Sequence, residues 1–145
     1  MILMPEKKVH LRIVTPEEVK VDEKADMVIM RCTTGDMGIL PGHESRSAVL
    51  DYGVLRILDG NDERRLAVFG GLAEVKNDVV TVLTNIAERP EDINRALAEE
   101  DREKAERRLE SAEDDIEIQS SQVLLRRSLV RIEVSSYPLL RSKSD

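Results

Sequence analysis

Val79-Val80-Thr81-Val82-Leu83 and Pro90-Glu91-Asp92-Ile93-Asn94-Arg95-Ala96-Leu97-Ala98-Glu99-Glu100-Asp101-Arg102-Glu103-Lys104-Ala105-Glu106-Arg107-Arg108-Leu109-Glu110 follow one another closely in the chain and obey different rules. The first is a short β-branched run of strand length; the second is rich in helix formers, free of glycine, and has proline only at its start. The same contrast holds outward from this point. All seven glycines (35, 38, 42, 53, 60, 70 and 71) precede residue 72, so tight turns are confined to the front of the chain. Two modules follow, residues 1–87 and residues 88–145 with a short tail.

Before the break, short runs alternate with turn residues. They are His10-Leu11-Arg12-Ile13-Val14, Met27-Val28-Ile29-Met30-Arg31-Cys32, Gly53-Val54-Leu55-Arg56-Ile57-Leu58, Arg65-Leu66-Ala67-Val68-Phe69 and Leu72-Ala73-Glu74-Val75, ahead of the run at 79–83. Asp59-Gly60-Asn61-Asp62 and Lys76-Asn77-Asp78 read as hairpin turns, because Gly and Asn accept positive φ at little cost. Many short strands with close turns predict an antiparallel sandwich or barrel.

After the break, a first helix is expected over about 91–112, opened by Pro90 with Glu91 and Asp92 in its first turn. Ile93, Leu97, Ala105, Leu109, Ala112 and Ile116 mark a thin apolar seam diluted by alanine. Glu113-Asp114-Asp115 reads as a turn. A second helix over about 117–134 carries Val123, Leu124, Leu125, Leu129, Val130 and Ile132, and the short connection makes an antiparallel hairpin. Residues 91–117 hold 12 acids and 5 bases, whereas residues 119–143 hold 5 bases and 1 acid, so the two helices are expected to complement each other in charge.

Composition narrows the function. The 145 residues are 41% hydrophobic and 35% charged, ample for a core without staples, and the single Cys32 forms no internal disulfide. Three aromatics (Tyr52, Phe69, Tyr137) are too few for a base-stacking platform, and a net charge of -7 argues against nucleic acid or anionic lipid as a partner. MILMPEKKVHL is too short an apolar run for a signal peptide, and no stretch approaches the roughly 20 apolar residues of a membrane span. Cys32, His10 and His43 lack metal-ligand spacing, and neither a phosphate-cradling P-loop nor an activated nucleophile is visible.

The ordered series Thr33-Thr34-Gly35-Asp36-Met37-Gly38-Ile39-Leu40-Pro41-Gly42-His43-Glu44, then Leu50-Asp51-Tyr52-Gly53-Val54-Leu55-Arg56-Ile57, is specific. With Val14-Thr15-Pro16, Gly70-Gly71-Leu72-Ala73-Glu74-Val75, Ala87-Glu88 and the charged helices, it resembles the epsilon subunits of F-type ATP synthases over about residues 8 to 134. The resemblance implies a mostly β plus α chain: an N-terminal antiparallel β-sandwich followed by a C-terminal two-helix hairpin. It also implies a noncatalytic rotor subunit of the central stalk, at the cytoplasmic face of a bacterial plasma membrane and attached to it only through the complex. Its partners would be the gamma subunit and the ring of c subunits. Asp36 and His43, with Glu44, are the expected c-ring contacts, on a loop turned by Gly35, Gly38 and Gly42 and stiffened by Pro41.

The resemblance further implies that the hairpin can extend into the catalytic alpha and beta subunits and inhibit ATP hydrolysis. Arg126, Arg127 and Arg131 are the expected contacts with an acidic loop of beta. In the folded hairpin the same arginines are expected to answer the acidic first helix. Some family members bind ATP on the hairpin through Ile-Asp-x-x-Arg-Ala. Here Ile93 is kept, but Asn94 and Leu97 replace the acid and the arginine, which leaves Arg126 and Arg127 as residual phosphate partners and predicts weak or absent ATP binding, with no other cofactor. A rival reading is a free-standing β-sandwich binding module whose helices mediate oligomerisation.

Overall fold

The computed structural model describes residues 7–136; Tyr137 and the tail expected after the second helix lie outside the described residues. Eight strands come first: β1 (Val9–Val14), β2 (Val19–Ala25), β3 (Met27–Cys32), β4 (Gly35–Ile39), β5 (Arg46–Asp59), β6 (Asp62–Lys76), β7 (Val79–Leu83) and β8 (Ala87–Glu88). A 3₁₀ turn (Pro90–Asp92) then leads to α1 (Arg95–Ser111) and α2 (Asp115–Ser136). Strand order is β2-β1-β7-β6-β5-β3-β4, with β8 on β6. All pairs are antiparallel except β1 with β7, a parallel pairing that the close turns did not suggest.

The sandwich is made by two long strands that serve both layers. In β5, Ala48 and Leu50 face the core at one end, and Leu55 and Ile57 at the other, so the inward parity changes near Gly53. In β6 it changes between Val68 and Ala73, at Gly70-Gly71, where φ is 82° and 122°. A Cβ on Gly71 would overlap the Leu83 carbonyl oxygen. The sequence runs 65–69 and 72–75 are therefore one bent strand. β1 supplies Val9, Leu11 and Ile13 to the same core, and β7 supplies Val80 and Val82.

Three strands went unread in the sequence, β2, β4 and the two-residue β8. β2 alternates only weakly among charges, and β4, GDMGI, has too few apolar residues to read as a strand; its five residues pair in register with β3. The expected Gly-rich loop thus shrinks to residues 40–45. The turn at 76–78 has the left-handed geometry expected of it, with φ of 52° at Asn77 and 63° at Asp78.

The first helix starts later than its sequence suggests. Pro90, Glu91 and Asp92 form the 3₁₀ turn, and Asn94 caps α1 by accepting the Leu97 N–H at 3.0 Å. Asp114 caps α2 in the same way, accepting from Glu117 N–H at 2.8 Å. The helix seam also differs. Ala98 and Ala105 of α1 and Ser121 and Ser128 of α2 are buried, whereas Leu97, Ile116, Val123 and Leu129 are exposed. Small side chains seven residues apart let the helices close tightly and push the bulky aliphatics off the contact line.

Candidate functional site

Four consecutive positions of β6, Leu66 to Phe69, are buried. A strand buried on both faces has a layer on each side. Leu66 and Val68 face the sandwich core; Ala67 and Phe69 face outward, under α2. Val134 of α2 is fully buried against them, and Tyr52, Val54, Ile86, Ile93 and Val130 complete this second cluster.

Around it the arginines of α2 converge on two rings. Tyr52 and Phe69 are cross-strand neighbours packed edge to face, centroids 5.7 Å apart at 81°. The Arg126 guanidinium lies 4.6 Å from the Tyr52 centroid, that of Arg131 lies 4.9 Å from Phe69, and that of Arg127 is 5.7 and 5.9 Å from the two rings. Carboxylates of the sandwich finish the lock. Arg131 donates to both oxygens of Glu88 at 2.7 and 2.9 Å, and Arg126 donates to Asp51. Glu88 also raises the Arg131 pKa, chiefly through these hydrogen bonds.

This largely corrects the expected pairing of the two helices: Asp101 of α1 acts on Arg131 through its charge, but the arginines' contacts lie elsewhere. Among the described residues, the ion pairs of Arg126 and Arg131 reach Asp51 and Glu88 of the sandwich, while those of α1 are internal, Arg95 to Glu99 and Arg102 to Glu106. Helix geometry gives the reason: Arg131 sits roughly 60 to 80° and Arg126 roughly 140 to 160° round α2 from the Ser121–Ser128 stripe that meets α1. The lock has a weak point, since Arg127 Nε is buried without a hydrogen-bond partner.

The remaining candidates are scattered. Asp36, in β4, accepts from Arg31 Nε at 2.8 Å across the β3–β4 hairpin. His43 stands beyond the other end of β4, its Nδ1 donating to the Glu44 carbonyl at 2.8 Å, on a loop anchored by the Gly42 N–H to Asp78 at 2.7 Å. Ile93 packs in the cluster beneath α2, Asn94 is spent as a cap, and Leu97 is exposed.

Sequence reading missed a second surface. Cross-strand register aligns Val49, Leu72, Leu83, Val14 and Val19 in one row over β5, β6, β7, β1 and β2. Val19, Val49, Leu72 and Leu83 remain 46 to 56% exposed. The row lies on the outer face of one layer; α2 covers the outer face of the other. Aliphatic side chains on five strands were a signal available in the sequence, but it needs the register to be seen.

The class of the chain is a two-layer β-sandwich carrying a helical hairpin, with an aliphatic face left uncovered. Residues 8–90 match the family model of the ATP synthase delta/epsilon chain β-sandwich domain, and residues 91–136 match that of its long α-helix domain; the chain belongs to this family. It is 40% identical to the ATP synthase epsilon chain of Bacillus subtilis over 129 residues, 89% of this chain and 98% of that one. It is 41% identical over 104 residues to the epsilon chain of Prochlorococcus marinus strain NATL2A, 72% of this chain and 77% of that one. The fold is similar to a chain in the Euglena gracilis mitochondrial ATP synthase OSCP/F1/c-ring structure, with TM-score 0.77 and 23% identity over 90% of this chain and 82% of that one.

Proposed function

We propose that the chain is a noncatalytic rotor subunit of an ATP synthase central stalk, with the sandwich as its coupling foot and the hairpin as a brake held off by its latch. The observation that carries this is the aliphatic row Val49–Leu72–Leu83–Val14–Val19. Five aliphatic residues across five strands form a contiguous face that an isolated subunit leaves in water, and such faces bind protein. The gamma subunit is the partner assigned to it. The 40–45 loop with Asp36, His43 and Glu44 is assigned to the polar surface of the c ring. Attachment at the cytoplasmic face is assigned to contacts within the complex; no helix among the described residues is long and apolar enough to cross a membrane.

The same arginines that latch the hairpin are assigned to the acidic surface of a catalytic beta subunit once the hairpin extends, with alpha alongside. Latch and target then compete for Arg126, Arg127 and Arg131. The aliphatics left exposed on the hairpin, Leu97, Ile116, Val123 and Leu129, gain cover in that second state. Recovery of gamma with the tagged chain from its native cells tests the stalk role, and its absence overturns it. Deleting residues 90–145 tests the brake: hydrolysis by the assembled complex rises while assembly persists, and unchanged hydrolysis removes the inhibitory role.

A further inference from the structure

The Asp36 contact and the hairpin latch meet at one residue. Arg31 pairs with Asp36 on β4, and its stem lies across Gly53 of β5, where a Cβ would come within 2.5 Å of Arg31 Cβ and 2.7 Å of Cγ. The missing side chain at Gly53 is what lets this arginine lie flat over the strand. Asp51, two residues back on the same strand, holds Arg126 of the latch. The Arg31 guanidinium feels the Asp36 hydrogen bond most strongly, and then the charges of Asp36, Glu133 of α2 and Asp51.

We infer that Arg31 is a positioning residue that couples the Asp36 contact to the docked hairpin: Asp36 holds it while the loop is unengaged, and when a cationic partner takes Asp36, Arg31 turns to Asp51 and competes with Arg126 for it. Asp51 gives one oxygen to both the Tyr52 N–H and Arg126, so an arriving Arg31 meets the other oxygen and draws the carboxylate's charge away from Arg126. The side chains are half exposed, so each exchange is small and screened by salt. This rests on the assignment of Asp36 to the c ring made above, but the relay inside the chain is testable without that ring.

The probe is iodoacetamide alkylation of the full chain carrying Val134→Cys, whose position is fully buried between α2 and β6. The native Cys32 is buried in the sandwich core and reports global unfolding in the same experiment. At low salt, Asp36→Asn is expected to speed alkylation at position 134 about threefold without changing Cys32, in line with exposed ion pairs. Arg31→Gln alone gives no acceleration, and Arg31→Gln with Asp36→Asn returns to the Arg31→Gln rate. At about 0.5 M salt the Asp36→Asn effect shrinks towards unity. An unchanged rate in Asp36→Asn, or equal acceleration with and without Arg31, overturns the inference. If the relay behaves as expected but Asp36→Asn leaves c-ring attachment intact in the assembled complex, the coupling stands and only the c-ring assignment of Asp36 falls.

Discussion

Arg131 grips Glu88 with both arms of its fork, at 2.7 and 2.9 Å, and so ties α2 to the last strand of the sandwich. Both side chains are about three-quarters buried, which makes this the best shielded ion pair of the latch.

Glu88→Gln is expected to weaken docking by about 1 kcal/mol, a several-fold rise in alkylation of the thiol introduced by Val134→Cys. Arg131→Lys gives a similar loss, because an ammonium cannot reproduce the planar fork or its stacking on Phe69. In the assembled complex Glu88→Gln, which alters the latch and leaves the arginines intact, inhibits hydrolysis more strongly than the unmodified chain.

Docking is expected to weaken in acid. Burial pushes the Asp51 carboxyl up, but the Tyr52 N–H and Arg126 outweigh it and hold its pKa below the usual carboxylate value. A lowered folded pKa gives stability that is complete above about pH 4 and is lost as pH falls through the lower folded value. Alkylation at position 134 is therefore flat between pH 6 and 8 after correction for thiol ionisation. Below about pH 4, where thiols are protonated, loss of docking is read as a change in the Tyr52 ring resonances by NMR. Asp51→Asn shows weaker docking at neutral pH and a smaller acid response.

Gly71→Ala tests the bend in β6. Positive φ and the overlap with the Leu83 carbonyl act together, so a loss of roughly 2 kcal/mol or more in sandwich stability is expected from urea unfolding. Gly60→Ala, at a turn with open space around its Cβ position, costs less.

Ala105→Leu tests the small-residue seam. Ala105 is fully buried between the helices, and a larger side chain there forces them apart at a cost of about 1 to 3 kcal/mol. The hairpin is expected to melt at lower temperature by circular dichroism while the sandwich transition stays in place.

The division into sandwich and hairpin was legible because glycine and helix-forming residues sort to opposite ends of the chain. The latch was not, although its parts were in view. Leu66-Ala67-Val68-Phe69 is apolar on both strand faces, which already calls for a second layer, but only the tertiary arrangement places Arg126 and Arg131 over Phe69 and Tyr52 rather than beside α1. The seam was legible at Ala105 but otherwise misread, for a related reason: periodicity rewards large apolar residues, and this contact is built from Ala98, Ala105, Ser121 and Ser128. The row from Val49 to Val19 joins strands far apart in sequence and becomes visible only through register.

The most direct test of the stalk assignment is cross-linking in the assembled complex from a single cysteine introduced by Leu72→Cys, with the native Cys32 buried and unreactive. A short thiol-to-amine reagent is expected to join this position to the gamma subunit in high yield, while a cysteine introduced by His43→Cys joins the c ring. Leu72→Cys that cross-links to no gamma subunit, in a complex that still contains the chain, would contradict the account.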